Sequence, residues 1–212
     1  MQLKSKQRAR DHGEVYTHER EVNAMLNLVA DQVANPEKTF LEPACGNGNF
    51  LAEILRRKLA AVIQKHKKSQ FDYERTALIA LGSLYGIELL ADNVAECRAR
   101  LHQIFSESYQ TAFPKTFKTE YLRSAQYILL QNIVCADALK MQTAEGNPIV
   151  FAEWKMVNGS RIKRRDYTFL NLLDGSQAQN QLTLFSDNGK EAFIPEPVKD
   201  YPAEHYLEVG HV

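Results

Sequence analysis

Phe40-Leu41-Glu42-Pro43-Ala44-Cys45-Gly46-Asn47-Gly48-Asn49-Phe50-Leu51 is the stretch on which the fold turns. It reads as a short apolar strand, an acidic residue, a glycine-bearing turn and then a helix starting near Phe50. Gly46 and Gly48 permit positive φ and let a ligand approach the backbone where a Cβ would intrude. The helix that follows points unpaired N–H groups at the turn, where a carboxylate fits. The arrangement suits a small molecule with a nucleoside and a charged tail.

Working outward, apolar Val22, Met25, Leu26, Val29 and Val33 recur at helical spacing, predicting one helix over residues 19–33 that ends at Asn35-Pro36. Phe50, Leu51, Ile54, Leu55, Leu59 and Val62 predict a helix over residues 50–65, and a further one spans about residues 73–81. Leu84-Tyr85-Gly86-Ile87-Glu88 reads as the second strand, residues 92–105 as a helix, and residues 106–120, with Pro114, as a loop. A helix over about residues 121–130 leads into a third strand at Ile133-Val134-Cys135-Ala136-Asp137. Strands alternating with helices imply parallel pairing, hence a doubly wound α/β sheet within residues 1–147.

At Pro148 the pattern changes. Residues 148–157 and 161–169 read as two extended segments about Asn158-Gly159, a strong hairpin signal, which makes residues 148–173 an appended β-hairpin. Residues 174–189 are rich in Gln, Asn, Ser, Asp and Gly and read as a flexible surface segment. The proline-punctuated end of the 174–212 region reads as an extended tail.

Lysine plus arginine number 26 and aspartate plus glutamate 26, so no global charge signals nucleic-acid binding. Three widely spaced cysteines and no Cys/His ligand spacing point to reduced thiols without a metal site. The basic start, MQLKSKQRAR, is followed by charged sequence, and no apolar run reaches spanning length; the expected location is the cytoplasm, away from any membrane.

Glu88, ending the second strand, is placed to accept hydrogen bonds from the two hydroxyls of a ribose. Its distance from the glycine loop is about twice the ~20 residues of a dinucleotide fingerprint, which argues against a simple NAD site. Asp137, after the third strand, could accept a proton from an exocyclic amine, although an aspartate there is more often a helix cap.

The string Glu-Pro-Ala-Cys-Gly-Asn-Gly-Asn-Phe-Leu resembles the S-adenosylmethionine loop of adenine-specific DNA methyltransferases: an acidic residue, Pro, then Cys-Gly-x-Gly-x-Phe. Upstream, Gly13-Glu14-Val15-Tyr16-Thr17 resembles the segment that opens the fold in type I restriction-modification methylation subunits, with His18 where a proline is usual. The resemblance covers residues 13 to 140 and implies an S-adenosylmethionine cofactor on a Rossmann-like methyltransferase fold. Tyr16 and Thr17 would serve its methionine end. Glu42, Pro43, Ala44, Cys45, Gly46, Gly48 and Phe50 would form the loop, Glu88 and Leu89 the ribose clamp, and Asp137 with Ala138 the adenine contacts.

Those methyltransferases also carry an Asn-Pro-Pro-Tyr or Asp-Pro-Pro-Tyr segment that holds the target adenine. Nothing here matches it; the nearest string, Asn147-Pro148-Ile149-Val150, has no aromatic residue. With 75 residues after Asp137, the fold is expected to be incomplete. Two functions follow: a divergent or split enzyme that methylates adenine in DNA with a partner subunit, or a noncatalytic S-adenosylmethionine-binding module of a restriction or phage-related system. The hairpin's Trp154 and its basic Lys155, Arg161, Lys163, Arg164 and Arg165 are candidates for stacking on a base and lying against phosphates, unless Trp154 anchors the core.

Overall fold

The computed structural model describes residues 17–173 and 196–210. Tyr16 and the expected flexible stretch at residues 174–189 lie outside the described residues.

The chain runs α1 (Glu19–Asn27), α2 (Ala30–Ala34), β1 (Phe40–Glu42), α3 (Asn49–His66), α4 (Gln70–Gly82), β2 (Leu84–Glu88), α5 (Ala91–Ala112), α6 (Thr119–Asn132), β3 (Ile133–Cys135), β4 (Val150–Met156), β5 (Arg161–Thr168), β6 (Lys199–Asp200) and β7 (Glu204–His205). The first three strands form a parallel sheet in the order β1-β2-β3. The mixed α/β class and the parallel sheet are as expected.

Two consecutive steps across the sheet in one direction, each by a right-handed crossover, put both helical connections on the same face. Leu84 and Gly86 face that layer: a Cβ on Gly86 would meet Leu51 Cδ1 of α3 at 3.0 Å. Tyr85 and Ile87 face the other way, where Tyr85 stands edge-on to Phe151 of β4, 5.1 Å between centroids. The second face is therefore covered by the antiparallel hairpin, not by helices as a doubly wound sheet requires.

The hairpin is welded to the sheet. Asn132, buried at the end of α6, donates to Gly82 O (3.0 Å) and accepts from Ala152 N–H (3.1 Å). Trp154 packs where a Cβ on Gly82 would stand 2.9 Å from its ring. The C-terminal segment adds β6 and β7 to β5 and buries Tyr206, whose hydroxyl donates to Glu74 Oε2 (2.5 Å). Glu74 also receives Lys118 Nζ (2.8 Å) and the Tyr109 hydroxyl (2.5 Å), so one buried carboxylate joins α4, α5, the loop before α6 and the chain end.

Two expectations shift. The single helix at 19–33 is broken at Leu28 and Val29, where N–H groups bond three residues back and Val29 takes φ −127°. The loop expected from residue 106 begins only after Ala112, because Phe105 and Tyr109 continue the buried face of α5. That helix stops at Phe113, immediately before Pro114, as the pre-proline restriction demands. Lys58 of α3 is wholly buried and its ammonium donates to Asn35 O, Lys38 O and Ser83 Oγ, tying down the loop that enters β1. Burial draws it down to about 7.

Candidate cofactor cleft

β1 ends at Glu42, and the chain turns through Pro43 and Ala44, both exposed, before Cys45 N–H rejoins the sheet at Ile87 O (2.9 Å). Gly46 then takes φ +53° and Gly48 φ +86°, a conformation that disfavours a side chain. Gly48 is the N-cap of α3 and supplies no side-chain acceptor, so the first turn of this 18-residue helix has no side-chain cap among the described residues. Phe50, in that turn, packs on the core.

Gly48 has a packing role that its sequence does not announce. A Cβ there would sit 2.7 Å from Cys97 Sγ of α5, so close packing of α3 on α5 calls for glycine at this position. Cys45 and Cys97 are both buried, and the hydrogen bond between their thiols, with burial, pushes the Cys45 thiol well up. Such a thiol is an inert packing group.

Glu88 closes the loop onto β2. Its Oε2 accepts Gly46 N–H (2.8 Å) and its Oε1 accepts Leu90 N–H (2.9 Å). A carboxylate offers about four lone-pair directions, so each oxygen keeps capacity for one more donor. Glu42 accepts only a long contact from Ala44 N–H (3.4 Å), and burial raises its carboxyl above the ordinary value, more than that contact lowers it. Among the described residues neither carboxylate forms a salt bridge. The carboxyl end of the sheet thus holds two acidic groups, one partly desolvated, with no cation paired to them among the described residues.

Leu89, 57% exposed, follows Glu88, and Ala136 N–H bonds Glu88 O (2.9 Å), bringing the β3 exit alongside. Asp137 there is engaged in its own turn: Oδ1 accepts Leu139 N–H (3.0 Å) and Lys140 N–H (3.1 Å), and Oδ2 lies 3.4 Å from Lys140 Nζ. The N–H of Lys140 is the largest of the influences that hold its carboxyl below the usual range. This is the turn-capping role, and Oδ2 is the oxygen that remains for another donor. Leu89, Ala136, Asp137 and Lys140 line a cleft of about 320 Å³; Ala138, within the turn, is half-buried.

Thr17 is not the cap of α1. His18 is: its Nδ1 accepts Arg20 N–H (3.3 Å), and its own N–H donates to Glu21 Oε2 (3.2 Å). The imidazole thereby does what a proline cannot. Thr17 O instead accepts Asn49 Nδ2 (3.1 Å), while Asn49 Oδ1 accepts Arg100 Nη1 (2.6 Å). Asn49 and Arg100 line a second, polar cleft of about 180 Å³ with Thr17 and are residues the sequence does not reveal, because 51 positions separate the pair. Asn47 is another such residue; its Nδ2 donates to Glu96 (3.0 Å) and its buried Oδ1 has no partner among the described residues.

The hairpin candidates do not come together as a surface. Trp154 is 5% exposed and belongs to the core, so it cannot stack on a base. Lys155 pairs with Glu153 (2.8 Å), Lys163 (2.9 Å) and Arg165 (3.5 Å) with Asp200, and Arg164 with Asp166 (2.7 Å). Arg161 donates to Ala203 O (3.2 Å). Asn147 and Pro148 close a turn, with Thr143 N–H on Asn147 O (2.8 Å).

No protein family, curated protein or solved structure matches the chain. Among the described residues no group of side chains could hold a metal ion, and no helix is long and apolar enough to cross a membrane.

Proposed function

We propose that this protein binds S-adenosylmethionine at the carboxyl end of its parallel sheet and acts as the donor-holding part of a divergent or split adenine-specific DNA methyltransferase. The observation that carries the reading is the pair Glu42 and Glu88, without an ion-pair partner among the described residues, around a loop whose Gly46 N–H is held by Glu88 Oε2 at 2.8 Å. S-adenosylmethionine bears a sulfonium, an ammonium, a carboxylate and a ribose, and the cleft offers a complement to each kind of group. Glu88 has acceptor capacity for hydroxyls. Glu42 is a desolvated carboxylate that a cation would stabilise. The uncapped start of α3 presents N–H donors suited to a carboxylate.

The cofactor, when bound, supplies an activated methyl group. This chain's residues would orient it: Glu88 fixes the loop and the ribose, and Asp137 Oδ2 remains for an amine at the far end. What is wanting is a group to hold the acceptor amine, and misplacement by ~1 Å can cost ~100-fold in rate. The hairpin, with Trp154 buried and four of its five basic side chains in ion pairs, offers no evident replacement, which favours a second chain as the source of the acceptor and DNA contacts. The same observation keeps the alternative, a noncatalytic S-adenosylmethionine-binding module, in play.

The test is transfer of labelled methyl from S-adenosylmethionine to unmethylated DNA, by the chain alone and with proteins encoded beside it. Transfer only with a neighbour is the expected result. Donor binding without transfer in either setting selects the noncatalytic module, and no donor binding removes both readings.

A further inference from the structure

Among the described residues nothing pairs with the outer edge of β1. Phe40 N–H donates to Ser83 O (3.0 Å) across to β2. Successive peptide groups in a strand point to opposite edges, so the N–H and C=O of Leu41 face away from the sheet. β1 ends the strand order, and Leu41 is 40% exposed.

Two cavities run beside this edge, where the hairpin meets β1 and α4. One, of about 330 Å³, is walled by Leu41, Phe151, Tyr167 and Phe169; the other, of about 500 Å³, by Arg75, Ile79, Trp154 and Met156. They share Thr39, Tyr85 and Glu153 and so form one trough, apolar at the first end. At the second end two donors are unmet. Arg75 Nε and Trp154 Nε1 are buried without an acceptor, and among the described residues no carboxylate lies within salt-bridge distance of Arg75. Its guanidinium rests on the Phe71 ring at 5.2 Å.

We propose that this trough takes an extended polypeptide segment of another protein, paired with β1 as a fourth strand, with apolar side chains at alternate positions and an acidic residue reaching Arg75. An extended strand fits where a helix does not, because only a strand offers partners for the outward N–H and C=O of Leu41. The acid is set by charge complementarity with Arg75. This goes beyond the donor-binding reading and does not rest on it, since the trough and the cofactor cleft have no residue in common.

The probe is a labelled acetyl-Asp-Thr-Val-Thr-Val-Thr-Val amide, whose aspartate and valines share one face of a strand, titrated into the full chain without S-adenosylmethionine and followed by fluorescence anisotropy. Saturable binding is expected, weakened at least tenfold when the central valine is proline and at least tenfold when the aspartate is lysine. Arg75→Glu should reverse the aspartate–lysine preference; the proline peptide leaves the protein untouched and decides the matter if that variant fails to fold. Absence of saturable binding at millimolar peptide would overturn the proposal, as would binding indifferent to proline or to the charge. Exclusion of the peptide by a dimer of this chain, seen by sedimentation, would assign the edge to a second copy instead. Binding that appears only after deletion of residues 174–195 would assign it to the chain's own segment.

Discussion

The carboxyl end of the parallel sheet and the hairpin on its back differ in how they treat charge. In the hairpin every basic side chain has a partner, down to Asp200 receiving both Lys163 and Arg165. At the sheet end Glu42 and Glu88 have no cation among the described residues, and burial raises the Glu42 carboxyl. By sequence the glycine loop with Glu42 and Glu88 is the candidate cofactor site, and the basic hairpin is a candidate for DNA contact unless Trp154 anchors the core. The structure decides the second point, with Trp154 buried in the core. A satisfied charge is part of the scaffold, whereas a partly desolvated, unpaired one costs free energy unless a ligand completes it.

The comparison breaks first at Trp154. If the indole is a core anchor, Trp154→Ala should destabilise by about 3–5 kcal/mol, read as a large drop in thermal midpoint. A stable variant with weakened DNA affinity would restore the hairpin as an interface.

Next comes Gly48. Alanine there meets a positive φ and Cys97 Sγ at 2.7 Å, and strain of this kind costs of order 1–3 kcal/mol. Gly48→Ala should lower stability by about that amount. A full thermal midpoint with lost donor binding would show that the glycine serves the ligand and not the helix.

The Glu42 carboxyl gives a pH signature with two opposed signs. Its folded value is raised above 4.5, so the ligand-free fold prefers the protonated form and sheds stability as pH rises from 4.5 through the raised value. A cationic ligand prefers the ionised form, so affinity should rise over the same window and fall away below it. Calorimetric titrations across the acid range measure the second trend and urea melts the first; affinity flat in pH would remove Glu42 from the site.

The smallest effect belongs to the hairpin surface. Lys163→Ala should cost no more than about 1 kcal/mol, the scale of exposed ion pairs, and leave donor binding unchanged. An appreciable loss of affinity would mean that the two regions are coupled.

Much of the sheet end was legible because its determinants are local. Residues 84–88 form the second strand with the expected bounds, and the turn through Gly46 and Gly48 adopts the positive φ its glycines announce. The Asn158-Gly159 turn joins two antiparallel strands as read. What escaped depends on contacts distant in sequence. The extension of α5 to Ala112 follows from Phe105 and Tyr109 finding a pocket among Tyr73, Phe113 and Tyr121. The ion pairs of Lys163 and Arg165 depend on Asp200, some forty residues on. The Asn49–Arg100 pair and the bridging role of Asn132 have no local signature at all.

Titration of S-adenosylmethionine into the wild-type chain and into Glu88→Ala, by calorimetry at neutral pH, tests the central claim most directly. The account predicts saturable binding at one site, weakened by about 1–3 kcal/mol in the variant, the scale of lost charge-assisted hydrogen bonds. An Arg165→Ala control on the hairpin should match wild type. No heat of binding in the wild-type chain, or equal affinity in Glu88→Ala, would contradict it.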